Sequence, residues 1–147
     1  MKVAVGCDPN AAELKAAVMD ELRSMGHEVT DLGSTDPVYA NVAIAVAESV
    51  AAGRFERGVV LCGTGIGVSI AANKVKGAYC ALVTDAYQAE RAALSNNANM
   101  IALGAQVTGE MLARLLVRTW MSNAYVPGGR SEPKVARISE YDLNRDS

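Results

Sequence analysis

Cysteine is scarce in this chain. The three present, Cys7, Cys62 and Cys80, are an odd set with no metal-ligand spacing, which argues against a disulfide framework and a zinc site. Aromatic residues make up only 5 %, so alanine, valine and leucine carry most of the apolar half, as packed helix–sheet layers require. Neither sign of charge dominates. A net charge of −2 provides no basic field for nucleic acid or an anionic membrane surface. No apolar run approaches the roughly 20 residues of a membrane span. The opening residues, Met1 to Gly6, read directly as a strand and lack a signal-peptide layout. The expectation is a reduced, cytoplasmic protein.

What is present alternates regularly. Strand-like runs are expected at Lys2 to Gly6, Glu28 to Leu32, Gly58 to Leu61, Ala81 to Val83 and Met100 to Leu103. Between them, helices are expected from a cap at Asn10 to Met25, from Tyr39 to Ala52, from Val68 to Lys74, from Ala86 to Leu94 and from Gly109 to Met121. Leu14, Val18 and Leu22 mark the buried face of the first helix. Pro127-Gly128-Gly129 interrupts the chain, and a charged helical tail follows from about residue 131. Strand–helix units of this length demand parallel strands with right-handed crossovers. The fold class expected is α/β: a doubly wound three-layer sandwich around a roughly five-stranded parallel sheet, Rossmann- or flavodoxin-like. The 147 residues suit one domain.

Ligands of such sheets sit beyond the carboxyl ends of the strands, where Asp8, Cys62 and Asp85 fall. An isolated cysteine is ordinarily a small buried core residue, and Cys7 and Cys80 read that way. Cys62 differs because Gly63-Thr64-Gly65-Ile66-Gly67 follows it and leads into a helix. Backbone N–H groups in such a turn face an anion, and a helix N-terminus favours a thiolate. The turn is not a dinucleotide fingerprint: Val68 and Ile70 stand where a further glycine is needed, and the turn follows the third strand rather than the first. Nor is it a P-loop, because Val68 replaces the lysine. A base beside an anion cradle suits proton transfer on carbon next to a carbonyl.

The run from Leu61 to Lys74 strongly resembles the type B ribose-5-phosphate isomerase family, which includes galactose-6-phosphate isomerase subunits and tetrose-phosphate isomerases. The likeness extends over Val5 to Asp8, Gly26 to Val29, Ser95 to Asn99 and Gly128-Gly129-Arg130. The resemblance implies aldose–ketose isomerisation through a cis-enediolate, with no metal and no organic cofactor. It places the base at Cys62, a proton-moving hydroxyl at Thr64, and oxyanion donors along the backbone of Gly63, Thr64, Gly65, Ile66 and Gly67. Asp8 and Asn96 fall on substrate-binding positions. It further implies a homodimer or dimer of dimers whose active site is shared between subunits. A non-catalytic sugar-phosphate-binding subunit is an alternative, but retention of Cys62 and Thr64 argues against it.

Two positions depart from the family pattern. Pro9 stands where a phosphate-binding histidine is usual, and Ser95 where many members carry a ring-opening histidine. The single histidine, His27, reads as a strand-entry residue. The resemblance assigns phosphate binding to Arg130 and Lys134; Arg137 lies nearby as a substitute, and Asn10 offers an amide where the histidine is missing but reads first as the helix cap. A pentose 5-phosphate closes a furanose ring through O4, whereas a tetrose 4-phosphate has O4 esterified and cannot. The sequence therefore favours erythrulose 4-phosphate and erythrose 4-phosphate as substrates. Ala93 to Ala98 and Tyr39 to Asn41 also resemble the erythrulose-4-phosphate isomerase branch. The alternative is a ribose-5-phosphate isomerase relying on spontaneous ring opening or on Ser95 with water.

Overall fold

The computed structural model describes residues 1–145. Strands β1 (Lys2–Cys7), β2 (Glu28–Asp31), β3 (Arg57–Cys62), β4 (Cys80–Leu82) and β5 (Met100–Gly104) form one parallel sheet in the order β2-β1-β3-β5-β4. The helices are α1 (Ala12–Ser24), α2 (Tyr39–Ala51), α3 (Ile66–Asn73), α4 (Ala86–Leu94), α5 (Glu110–Met121) and α6 (Glu132–Asn144). β3 and β5 are buried along their whole length, as strands covered on both faces must be. β4, with Cys80 and Ala81 half-covered and Leu82 exposed, takes the edge, so β5 lies inside it against β3.

Successive strand residues alternate between two apolar layers. Val3, Val5, Val59, Leu61, Ile101 and Leu103 face α1, α4 and α5, where Leu22, Leu116 and Trp120 complete the packing. Ala4, Val60, Met100 and Ala102 face α2 and α3, where Val42, Val46, Val50 and Val68 cover them. The doubly wound three-layer sandwich expected from the alternation is the observed architecture.

Three local expectations need correction. Asn10 does not cap the first helix with its side chain. Pro9 opens a short 3-10 turn, Pro9–Ala11, and the cap moves back to Asp8, whose Oδ1 accepts the Asn10 N–H at 3.1 Å. Proline's fixed φ suits the first helical position, so the residue before it becomes the cap. α3 begins at Ile66, two residues before the expected Val68, because left-handed Gly65 (φ 80°) lets the chain turn at once from strand to helix. β3 begins at Arg57 rather than Gly58. The Arg57 guanidinium is buried under α5, donating to the carbonyls of Trp120 and Asn123 at 2.7 Å each, and lies 4.8 Å from the centre of the Trp120 ring. It adds a second donor to the Trp120 carbonyl, which also accepts the Asn123 N–H at 3.3 Å, and pairs the Asn123 carbonyl just beyond α5.

α6 packs back onto its own chain. Asp142 Oδ2 accepts the Gly77 N–H at 2.8 Å and the Tyr79 hydroxyl at 2.9 Å. Arg145 donates to the Lys74 carbonyl at 2.9 Å and accepts from Lys76 Nζ at 2.8 Å. The far end of α6 is thereby fixed beside the connection from α3 to β4.

Candidate active site

Asp8 and Cys62 leave the sheet side by side. The parallel register pairs Cys7 with Leu61, and the Asp8 N–H reaches the Leu61 carbonyl at 3.4 Å. From β1 the chain proceeds to β2 on one side, and the later strands build up beyond β3 on the other. The gap between β1 and β3 is therefore the topological switch point. Both side chains are largely covered, Asp8 at 6 % and Cys62 at 5 % exposure.

The Cys62 sulfur is turned toward the glycine bend, where Sγ accepts the Gly65 N–H at 3.2 Å. Thr64 is exposed, and its Oγ1 accepts the Ile66 N–H at 3.2 Å. Two of the expected backbone donors are thus engaged within the bend. The N–H groups of Gly67 and Val68, in the first turn of α3, receive no side-chain cap because the cap residue is Gly65. They carry the positive end of the helix dipole toward the bend.

β5 braces this bend from behind. The Ala105 N–H donates to the Cys62 carbonyl and the Gln106 N–H to the Gly63 carbonyl, both at 2.8 Å. Gly104 permits that contact, since a Cβ there would lie 2.5 Å from the carbonyl carbon and oxygen of Thr64. Tyr39, at the start of α2, lies against the backbone of Gly67. The other two thiols are poorly suited to base chemistry. Burial pushes Cys7 up to about 11, against partial relief from Lys15, and burial pushes Cys80 up to about 12.

A second cluster lies at the end of α4 and the start of α6. Asn96, Arg130 and Lys134 line one cavity of about 420 Å³ together with Tyr87, Arg91, Ser95 and Ser131. Asp8, Cys62 and Thr64 do not line it. Arg137 faces elsewhere, pairing with Glu140 at 3.1 Å and stacking on Tyr141. Asn10 lines a different cavity, whose Glu13 and Glu110 carboxylates make it unfavourable for an anion. Pro9 supplies only the 3-10 turn beside Asp8. His27 sits at the opposite end of the sheet, with Nδ1 3.1 Å from the amino terminus. The second cluster contains a residue that sequence reading passes over: Arg91 resembles any basic residue on an amphipathic helix, and only the fold brings it beside Arg130 and Lys134. Tyr39, noted in the sequence only as part of a family-like segment, is brought by the fold against the bend.

With this geometry in hand, relatives are informative. Residues 3–138 match the Ribose/Galactose Isomerase family. The chain is 42 % identical over 146 residues to D-erythrulose-4-phosphate isomerase of Pectobacterium atrosepticum, covering 97 % of this chain and 95 % of the relative. It is 41 % identical over 145 residues to ribose-5-phosphate isomerase B of Listeria innocua, covering 97 % of each. Among solved structures, Clostridium thermocellum ribose-5-phosphate isomerase B superposes with a TM-score of 0.91 at 40 % identity, over 97 % of this chain and 98 % of that one. Matches of this extent, on a fold with the thiol and glycine bend at its switch point, lead to one conclusion: the chain belongs to the ribose/galactose isomerase family and is an isomerase of that kind.

Proposed function

We propose that this sugar-phosphate isomerase interconverts erythrulose 4-phosphate and erythrose 4-phosphate. The observation that carries the choice of substrate is at Ser95, the position where ring-opening histidines stand in many members. Its hydroxyl accepts the Arg91 Nε–H at 2.6 Å, and His27 is at the far end of the sheet. No imidazole is therefore available to open a closed sugar. A four-carbon sugar esterified at O4 has no furanose to open, so it loses nothing by that absence. The similarity values do not separate the two substrates, at 42 % and 41 % identity.

Cys62 is the base in this reading. As thiolate it removes the C1 proton of the ketose, and the electron pair moves into a C1–C2 double bond as negative charge develops on the C2 oxygen. The Gly67 and Val68 N–H groups, in the first turn of α3 without a side-chain cap, meet that charge together with the Gly63 and Thr64 N–H groups in this reading. One such donor contributes about 3 kcal/mol to transition-state stabilisation. Thr64 moves a proton between O1 and O2, and the Cys62 thiol returns its proton to C2. Asp8 and Asn96 hold sugar hydroxyls, and Arg130 and Lys134 hold the phosphate.

Because Asp8, Cys62 and Thr64 lie outside the cavity of Asn96, Arg130 and Lys134, the two sets are joined across a homodimer in this reading, the groove of one subunit facing the bend of the other. Ile66 and Ile70 of α3, 52 % and 57 % exposed beside the bend, provide apolar surface for such a contact. Among the described residues no helix is long and apolar enough to cross a membrane. Three free thiols suit a reducing compartment, and we place the enzyme in the cytoplasm.

The test is a side-by-side assay of purified protein with erythrulose 4-phosphate and ribose 5-phosphate. The expected result is a kcat/KM at least about tenfold higher for the tetrose, the effect of supplying or withholding a general acid–base group being larger than that. A preference for the pentose rejects the substrate assignment, and binding of either sugar without turnover rejects catalysis.

A further inference from the structure

The groove between α4 and α6 gathers three cations where the family resemblance assigns two. Arg91, Arg130 and Lys134 line it together, and no carboxylate lines it among the described residues. Like charges collected at one place repel one another, and an anion bound between them removes that cost. Among the described residues the ion-pair partner of Arg91 is Glu90, whose Oε1 is 3.5 Å from Nη1. Both partners are well exposed, at 37 % and 42 %, so this contact does little to neutralise the guanidinium. The Glu132 carboxylate is turned away, accepting the Gly128 N–H at 3.0 Å.

Arg91 is held rather than free. It and Ser95 are four residues apart, on one side of the α4 terminus, and Nε donates to Ser95 Oγ at 2.6 Å. Nη2 has no hydrogen-bond partner among the described residues. Ser131 and Lys134, at the first turn of the 13-residue α6, line the opposite wall, so the positive end of a second helix meets the same space. Lysine offers a phosphate a point charge. Arginine offers a planar fork of donors.

We propose that Arg91 is a third phosphate ligand of this site, and that Ser95 is a positioning residue that fixes its guanidinium rather than a proton donor to the sugar. The inference rests on the sugar-phosphate reading above and extends it. The planar fork that Lys134 on α6 lacks is thereby supplied from α4.

The test uses inorganic phosphate as a probe that needs no turnover. Its Kd is measured by calorimetry on the wild-type protein, Arg91→Ala, Ser95→Ala and Arg130→Ala, and KM and kcat are measured with the preferred sugar phosphate. Arg91→Ala is expected to raise the phosphate Kd and the sugar-phosphate KM by about tenfold, as loss of a charge-assisted contact does, with kcat falling less than KM rises. Arg91→Lys should recover part of the loss, and Ser95→Ala should raise both constants about threefold by freeing the guanidinium. Should Arg91→Ala fail to fold, Arg91→Gln keeps the length and polarity and serves in its place. A phosphate Kd within twofold of wild type in the Arg91 variant, with Arg130→Ala weakened, overturns the role of Arg91 and leaves the isomerase reading intact. Phosphate affinity lost in Arg91→Ala, in a protein that turns over neither sugar phosphate, sinks the isomerase reading and leaves Arg91 as an anion ligand.

Discussion

Around Cys62 the polypeptide backbone fixes every position. The sulfur, the Thr64 hydroxyl and the carbonyls of Cys62 and Gly63 are each held by a main-chain N–H, and two of those N–H groups come from the residues just after β5. Around Lys134 side chains set the arrangement instead. Arg91 is held by Ser95, and α6 is held at its far end by Asp142. Main-chain hydrogen bonds at strand ends tolerate little displacement, which is what a proton transfer between adjacent carbons needs. Side-chain contacts at helix ends are easily changed one at a time, which suits the ligand-binding role proposed for the groove.

The contrast can be broken most severely at the sulfur. Cys62→Ala should lower kcat/KM by about a thousandfold or more while circular dichroism stays native, since loss of a general base commonly costs 10²- to 10⁴-fold. If the halves meet across a dimer, co-expressing Cys62→Ala with Arg130→Ala chains should restore about one quarter of wild-type activity, because random pairing gives mixed dimers holding one intact site each. Activity no higher than that of the separate variants would place both halves in one chain.

Gly104→Ala attacks the brace rather than the sulfur. Its new Cβ would meet the Thr64 carbonyl at 2.5 Å, so the bend must shift. A displacement of about 1 Å in a reacting group costs on the order of a hundredfold in rate. The expected readout is a fall in kcat with KM little changed, and an unaltered kcat would show that the bend is more adaptable than its hydrogen bonds imply.

Asp142→Ala tests the other half from a distance. Gly77 and Tyr79 lose their acceptor, α6 loosens, and the cations at its start lose their fixed position. A several-fold rise in KM is expected, with a stability loss of about 1–2 kcal/mol in urea unfolding from the buried groups left unpaired. Equal effects on KM and kcat would argue for general loosening instead.

The smallest effect expected is on acid stability. Burial pushes the Asp31 carboxyl up, but the Lys15 ammonium at 2.7 Å and the Gly33 N–H outweigh it and hold it below its ordinary value. A carboxylate with a depressed folded-state value binds fewer protons folded than unfolded, so its contribution is present above its unfolded value, near 4, and is lost as pH falls through the lower folded one. Lys15→Met should cost about 1 kcal/mol at pH 7, and that deficit should shrink toward pH 3. Urea midpoints at the two pH values measure it.

How far sequence alone reaches follows from the same physics. β3 and β5 are legible because residues buried on both faces must be apolar, and Ala86–Leu94 appears with the expected bounds. Arg57 is missed because a charge looks like the end of a strand. Its buried position makes sense only once the carbonyls of α5 stand above it. The placement of β5 inside β4 is likewise hidden, since neighbours in a sheet are a tertiary choice. In the candidate site, the thiol and the glycine bend are contiguous and readable, and Asn96, Arg130 and Lys134 come from the resemblance. Arg91 belongs to neither group. Its significance comes from a groove whose other wall lies some forty residues further along the chain.

The clasp that β5 places on the bend has a further consequence. Ala105 and Gln106 grip Cys62 and Gly63 through atoms that every amino acid possesses, so no exchange of side chains along α4 or α6 reaches that grip. On the proposed reading, a change of carbohydrate at the helical rim would leave that main-chain grip as it is.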